Sequence, residues 1–476
     1  VRPQDEPGEQ LIAYVVTRLP AGGSMPDDPR VTGTAIVDHW GKLYELAYAR
    51  APAAPSFAGW TSSYTRQPIP QPQMQEWLET TLTRIRRLKP NRILEIGCGV
   101  GLLLQQLAPH CAVYVGTDIS AAALAKLRQW SNQHDGLQHI ELLNCSAAEL
   151  QGLGSGRFDT VILNSVVQYF PDVDYLVAVL KESMRLLQPG GTIFIGDVRH
   201  LGLLSTFHSS IQLQKALDTV TAAQLRRRIA RAVTQETELL LEPRLFEALA
   251  ARMPGIAAVE IQLRRGKSHN EMTRYRFDVA IQVGAETRAP VSCESLDWQT
   301  TAVSVDEMKA LLSTRRWPSV RLHSIPNLRL AREQAARRVI ESAAGQTTVG
   351  ELRRQLNELQ VHGIDPEELS ECAESLGYDV SIEWGPSTAP EYFAALLLDR
   401  SRADQVGRMQ STPPARTGSW SELANDPLRN RMEQQLIPQL HRYIEEQLPG
   451  HVMPSAWTVL RQLPLTSDGQ VDRCLL

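Results

Sequence analysis

Ile93-Leu94-Glu95-Ile96-Gly97-Cys98-Gly99-Val100-Gly101 is the stretch on which the fold turns. Residues Arg92 to Ile96 read as a short buried strand that runs into three glycines spaced two apart. The apolar segment Leu102 to Leu107 then reads as a helix. Glycine lets the backbone turn sharply and approach a ligand, and a helix N-terminus aims its amides at that ligand. A dinucleotide site would space its glycines Gly-x-Gly-x-x-Gly, the third serving helix packing beside a pyrophosphate. The spacing here differs, and Glu95 precedes it. The next strand, Val113 to Thr117, ends in Asp118, a carboxylate suited to accept both ribose hydroxyls of a nucleoside. The competing reading is a tight strand–helix turn with a solvated aspartate.

Outward from this centre, strand-like and helix-like segments alternate. Phe158 to Leu163 and Thr192 to Gly196 read as buried strands, with a further strand near Ile140 to Leu143. Ala121 to Ser131 and Val173 to Leu187 read as amphipathic helices. That alternation predicts an α/β fold with a parallel sheet covered on both faces. Beyond Thr206 helices dominate, apart from strands expected at Ala257 to Arg264 and Arg276 to Val283. Residues near 305 to 380 read as mainly helical. Leu11 to Thr17 reads as a separate strand, and Leu436 to Leu448 as a helix with Ile437, Leu440, Ile444 and Leu448 on one face. Two junctions rich in small, polar and turn-forming residues interrupt the chain, at Pro20 to Arg30 and Ser411 to Ser419.

The 476 residues imply two or three domains. A composition of 43% hydrophobic and 21% charged residues is that of a globular protein, and the net charge of −4 gives no reason to expect nucleic acid or a membrane as partner. The six cysteines lack any CxxC or CxH spacing, which points to a reducing cytoplasm and to no metal site. Val1 opens the chain in a charged turn, so the sequence reads as a piece of something longer.

The E-x-G-x-G-x-G form resembles the first motif of class I methyltransferases, whose Rossmann-like fold binds S-adenosylmethionine. Longer segments are more particular: GWTSSYTRQPIP (Gly59 to Pro70), LNSVVQYFP (Leu163 to Pro171), PGGTIFIGDVRHLGLLSTFHSSIQL (Pro189 to Leu213) and NEMTRYRFDV (Asn270 to Val279). Together they resemble the N-methyltransferase domain of nonribosomal peptide synthetases. The two ends are similar instead to the small C-terminal subdomain of an adenylation domain, from the strand after DEPGEQ to QLPGHVMPSAWTVLRQLPLTSDGQVDR (Gln447 to Arg473). The resemblance therefore implies an interrupted adenylation domain. Residues 1–35 and 413–476 would form a small α+β subdomain, and residues 36–412 a class I methyltransferase with helical additions. Where the family closes on Asn-Gly-Lys this chain has Asp468, Gly469 and Gln470, and His451 stands in place of a tyrosine. Without that lysine and the large adenylation subdomain, adenylation by this chain is not expected.

The same resemblance implies transfer of a methyl group from S-adenosylmethionine to the α-amine of an aminoacyl thioester, carried on the phosphopantetheine arm of a peptidyl carrier protein. The large adenylation subdomain would be a further partner. O-, S- or C-methylation, or an insertion kept only for structure, are the other readings. A nucleic-acid methyltransferase is disfavoured, because Asn164 is followed by Ser-Val-Val and not by Pro-Pro-aromatic. Cofactor candidates are Glu95, Gly97, Gly99, Gly101, Asp118, Ile119 and Asn164, with Tyr64 folding over the cofactor or packing beside Trp60. Glu149 either reaches the adenine or only starts a helix. Catalytic candidates lie past the central strands: Asn164, Gln168 and Tyr169, then Asp197 and His208. Asp197 is either a base or a salt-bridge partner of Arg199; His208 is either a base or a helix-surface residue. Glu271 is a second-choice base or an edge-strand acid. The cluster Arg226, Arg227, Arg228 and Arg231 is either a carrier-protein docking face or a solvated helix surface.

Overall fold

The computed structural model describes residues 12–16, 33–50, 57, 59–284, 293–301, 304–385, 389–402, 420–447, 454, 456–460, 463 and 470–472. The two junctions, His451, Asp468 and Gly469 lie outside these residues. Thirteen strands are described: β1 (Ile12–Val16), β2 (Arg92–Ile96), β3 (Val113–Asp118), β4 (Ile140–Asn144), β5 (Phe158–Asn164), β6 (Leu187–Arg199), β7 (Ile256–Leu263), β8 (Arg276–Val283), β9 (Glu294–Asp297), β10 (Ser319–Pro326), β11 (Tyr378–Trp384), β12 (Tyr392–Asp399) and β13 (Ala456–Leu460).

Seven strands form the central sheet in the order β4-β3-β2-β5-β6-β8-β7. The first five run parallel, and β8 lies antiparallel to both β6 and β7. This order, with its reversed strand beside β6, is the class I methyltransferase fold. Successive residues of β2, β3 and β5 alternate between two apolar layers. Leu94, Val115, Val161 and Leu163 enter one, while Ile93, Tyr114 and Ile162 enter the other. Both faces are covered, which is why these strands read as continuous apolar runs. The helix Gln71–Arg87 closes the second layer with Met74, Trp77, Leu78, Leu82 and Ile85, a helical stripe. The strand order reverses between β2 and β5, so the crevice at their carboxyl ends is the place where such a sheet binds ligands.

Residues near 305 to 380 are mainly helical, as expected, but the sheet among them is unexpected. Helices Val305–Arg315, Leu328–Ser342, Val349–Glu358 and Pro366–Ser375 are present, but β10 and β11 lie among them in a second sheet ordered β11-β12-β10-β9. That sheet continues the same apolar core, through Val320, Val380, Trp384 and Phe393. At the opposite end of the chain β1 pairs in parallel with β13, Ile12 opposite Ala456 through Val16 opposite Leu460. Between β12 and β13 the segment from Trp420 docks on the central unit. Asn425 Oδ1 accepts from Leu240 N–H (2.7 Å), and Asn430 Nδ2 donates to the Glu236 carbonyl (2.8 Å). Among the described residues no helix is long and apolar enough to cross a membrane.

Candidate active site

The three loop glycines all have positive φ, 76° at Gly97, 52° at Gly99 and 80° at Gly101. Side chains are strained in that region, and there is also no room for them. A Cβ on Gly97 would fall 2.7 Å from Val166, and one on Gly101 would fall 2.3 Å from Leu127. The loop is latched to β3 by Gly97 and Cys98 N–H donating to the Thr117 carbonyl at 2.8 and 2.9 Å. Asp118, 8% exposed, takes one backbone N–H on each carboxylate oxygen, Gly99 on Oδ2 and Ser120 on Oδ1, both at 2.8 Å. Burial raises its pKa, against the pull of those N–H groups. The remaining lone pairs line a cavity of 720 Å³ that also takes in Glu95, Ile119, Asn164, Gln168 and Tyr169. Replacing Asp118 by alanine is expected to weaken S-adenosylmethionine binding by about 1.5–3 kcal/mol, the worth of charged hydrogen bonds. Calorimetry showing unchanged affinity would take Asp118 out of the site.

Glu95 is buried beneath the loop and accepts from Tyr114 Oη–H at 2.6 Å. Burial pushes its pKa up to about 8, with the Tyr114 bond opposing. The folded chain therefore keeps a proton that the unfolded chain has lost, over the window from the ordinary carboxylate range to about pH 8. Stability must fall as pH rises through that window and level off above it. Glu95→Gln is expected to flatten this slope in denaturant titrations at several pH values. An unaltered slope would mean that Glu95 titrates normally.

The helix Gly33–Arg50 lies across the loop. Trp40, Tyr44 and Tyr48 recur every four residues and line the cavity. Tyr169 packs on Trp40 and Tyr44 with ring centroids 4.7 and 5.2 Å away. Glu45 fastens the helix down by accepting from Ser120 Oγ–H (2.6 Å) and Ala122 N–H (3.1 Å). These aromatics occupy the covering position expected for Tyr64, which lies elsewhere. The Tyr64 hydroxyl is tied to Ser210 Oγ (2.7 Å) and Tyr275 Oη (3.1 Å), outside the cavity lining. Glu149 is also outside it. This residue is exposed and accepts from Ser146 N–H at 2.9 Å, so it closes a turn beside the cavity.

At the acceptor end, Asn164 finishes β5 and Gln168 follows one short turn later. Asn164 Oδ1 and Gln168 Oε1 are both buried, and among the described residues neither has a hydrogen-bond partner. Asn164 presses on Gly196 of β6, where a Cβ would fall 2.1 Å from Oδ1, so only glycine permits this asparagine. Burial pushes the Tyr169 hydroxyl up to about 12 and keeps it protonated.

Asp197 is not a free base. The residue is fully buried and accepts from Ser165 Oγ–H (2.8 Å) and Trp77 Nε1–H (3.4 Å). Its charge is paired with Arg276 and lies 3.7 Å from Arg264. Nor is Arg199 its partner, because that guanidinium binds Glu236 (3.0 Å) and Glu238 (2.7 Å) instead. Burial alone would raise Glu236, but Arg199 and His208 outweigh it and hold that carboxyl well below the usual range. His208 lines the cavity with Nε2 3.4 Å from Glu236 Oε2. Glu271 also lines it, with both oxygens engaged by Ser63 N–H and Ser63 Oγ–H, each at 2.9 Å. Glu236, Glu238 and the Trp40–Tyr44–Tyr48 face go beyond the sequence reading; the four-residue aromatic spacing is the one available signal. Among the described residues no group of three or more His, Cys, Asp or Glu could hold a metal.

Residues 94–193 match a family described as a methyltransferase domain. Over 475 residues the chain is 34% identical to the chondramide synthase cmdD of Chondromyces crocatus, covering 98% of this chain and 12% of that protein. It is 28% identical over 460 residues to the nonribosomal peptide synthetase dtxS1 of Metarhizium robertsii, covering 92% of this chain and 6% of the relative. The chain thus spans a small fraction of the relatives it matches. Among solved structures, the N-methyltransferase NodS of Bradyrhizobium japonicum aligns at 17% identity and a TM-score of 0.28, over 44% of this chain and 88% of that one. A likeness that low carries no argument, and the fold rests on the strand order. That order and the methyltransferase match over residues 94–193 give this chain a class I methyltransferase fold, and over most of its length it is similar to parts of nonribosomal peptide synthetases.

Proposed function

We propose that the domain methylates the α-amine of an aminoacyl thioester presented on the phosphopantetheine arm of a peptidyl carrier protein, with S-adenosylmethionine as methyl donor. One observation carries the choice of nitrogen: Asn164 and Gln168 both line the cavity, and among the described residues the buried carbonyl oxygen of each lacks a donor. A primary amine aiming its lone pair at a methyl group has two N–H bonds left to give. A hydroxyl or thiol would leave one acceptor unpaired, and a carbon nucleophile both, at a cost of about 1–3 kcal/mol for each.

The cradle suits the cofactor. Asp118 keeps lone pairs for ribose hydroxyls, Gly97 and Gly99 allow close approach, and Ile119 lines the cavity beside them. When bound, S-adenosylmethionine supplies a methyl group already activated on a sulfonium, so the protein has to align and to exclude water. Trp40, Tyr44, Tyr48 and Tyr169 form the dry wall. Asn164 and Gln168 accept the amine hydrogens and fix its lone pair. His208 receives the proton released from nitrogen, and Glu236 steadies the resulting imidazolium. Free α-amines have a pKa near 8, so a useful fraction arrives neutral.

The parallel pairing of β1 with β13 supports reading the chain ends as one small subdomain of an adenylation domain into which the methyltransferase is inserted. Incubating the chain with S-adenosylmethionine and an aminoacyl carrier protein is expected to add one methyl group to the acyl-carrier, recovered as the N-methyl amino acid on hydrolysis. A methyl found on oxygen, sulfur or carbon would replace the reading.

A further inference from the structure

The helix Leu204–Lys215 turns one stripe to the cavity: Leu204, Phe207, His208, Ile211, Gln212 and Lys215, spaced three and four apart. At 1.5 Å per residue the stripe is roughly 16 Å long. The stripe lines the cavity from buried Leu204 to exposed Lys215, which sets Lys215 at its open side. At that side lies a turn bridged by Thr61 and Pro68 and closed by Arg66 N–H donating to the Ser62 carbonyl at 2.8 Å. Arg66 at its tip has φ 59°, a left-handed conformation uncommon outside glycine.

Arg66 and Lys215 both line the cavity. Among the described residues neither forms a contact salt bridge, although the Glu271 carboxylate acts on Lys215 from further off. The nearby acids are occupied, Glu271 by Ser62 and Ser63 and Asp218 by Arg353. Lys215 Nζ donates to the Ser63 carbonyl at 2.6 Å, which holds the ammonium beside the turn and leaves two of its protons free. Burial first, and then the charge of Arg66, lower the Lys215 pKa, with Glu271 opposing. Two like charges kept together at the open side of the cavity form a seat for an anion.

We propose that Arg66 and Lys215 bind the phosphodiester of the phosphopantetheine arm, fixing how far the aminoacyl thioester reaches toward Asn164 and Gln168. The inference rests on the proposed function for its substrate and adds the phosphate as a recognised group. The guanidinium offers paired N–H donors to two phosphate oxygens, and the ammonium acts as a point charge. Stripe length and phosphate seat together measure the arm.

The test uses the whole chain and an aminoacyl group on two arms, 4′-phosphopantetheine and pantetheine. For the wild type, KM is expected to be at least about tenfold lower on the phosphorylated arm, the worth of one charge-assisted hydrogen bond. The double variant Arg66→Gln/Lys215→Gln should lose that preference, with rates on the pantetheine thioester unchanged. Calorimetry with unloaded 4′-phosphopantetheine and pantetheine reads the same preference without chemistry. Tighter binding of the phosphorylated arm that vanishes in the variant supports the seat even if no methyl moves, in which case the acceptor assignment alone fails. Methylation of both arms with equal KM, or a phosphate preference that survives the double substitution, overturns the seat and leaves the proposed function standing.

Discussion

Gln168→Leu is expected to lower kcat by about a hundredfold while the chain becomes no less stable. Gln168 is 3% exposed, and among the described residues its Oε1 has no partner, so the protein carries a desolvated carbonyl that packing alone does not need. Leucine has similar bulk and no polar atom. Removing an unsatisfied buried acceptor relieves about 1–3 kcal/mol of desolvation cost. In the reaction the amine nitrogen gains positive charge as the new bond forms, and its N–H groups become stronger donors. An acceptor aimed at them is therefore worth more in the transition state than in the bound substrate, so kcat falls and KM moves little. Losing one preorganised hydrogen-bonding group of this kind typically costs about 10²–10³ in rate. Asn164→Leu should act in the same direction, although Asn164 stands closer to the glycine loop, and Gln168 separates acceptor effects from cofactor effects more cleanly. A hydroxyacyl thioester supplies one hydrogen in place of two, so the preference for amine over hydroxyl should shrink in the Gln168 variant. A raised KM at constant kcat, or an undiminished amine preference, would assign both amides to substrate binding alone.

Sequence and structure agree where the physics is local. The central strands are buried on both faces, so β2, β3 and β5 stand out as apolar runs, and the glycine loop shows itself because three residues at positive φ tolerate little else. The second sheet is hidden because the alternation of β10, Val320-Arg321-Leu322-His323, is short and is broken at Ser324, where the register shifts before Ile325. Apolar Phe393 to Leu397 of β12 is an Ala/Leu-rich run whose helix preference is overridden by pairing with β10 and β11. Glu236 and Glu238 follow an arginine-rich helix in sequence and carry no motif. Asn425 and Asn430 hold the backbone of that loop against the cavity from far along the chain. The true partners of Asp197 escape the sequence for a geometric reason. The pairing of β6 with β8 shifts register between Ile195 and Val198, and that bulge breaks the alternation that would have set Asp197 beside Arg199.

Asp197→Ala is accordingly expected to reduce the free energy of unfolding by about 3–5 kcal/mol, the cost of breaking a buried ion pair from one side. Three guanidiniums, on Arg84, Arg264 and Arg276, meet two carboxylates, on Asp197 and Asp278, between β6, β8 and the helix Gln71–Arg87. Asp197 N–H also donates to Asp278 Oδ1 at 2.8 Å, so the two acids are joined through the backbone. Removing one carboxylate leaves three buried cations against a single anion. Alanine adds a second cost because φ at this position is 65°, which asparagine tolerates and alanine does not. Asp197→Asn should therefore keep the bulge and the Ser165 and Trp77 contacts, lose only the charge, and be less damaging than alanine. Pairing it with Arg276→Met removes both partners and should recover part of the loss, a coupling that denaturant unfolding of the two singles and the double would measure. Asp197 and His208 are also separated by this experiment. If Asp197 serves the fold, the folded fraction of Asp197→Asn methylates with an unchanged pH profile, whereas a stable but inactive Asp197→Asn variant would return Asp197 to the role of proton acceptor.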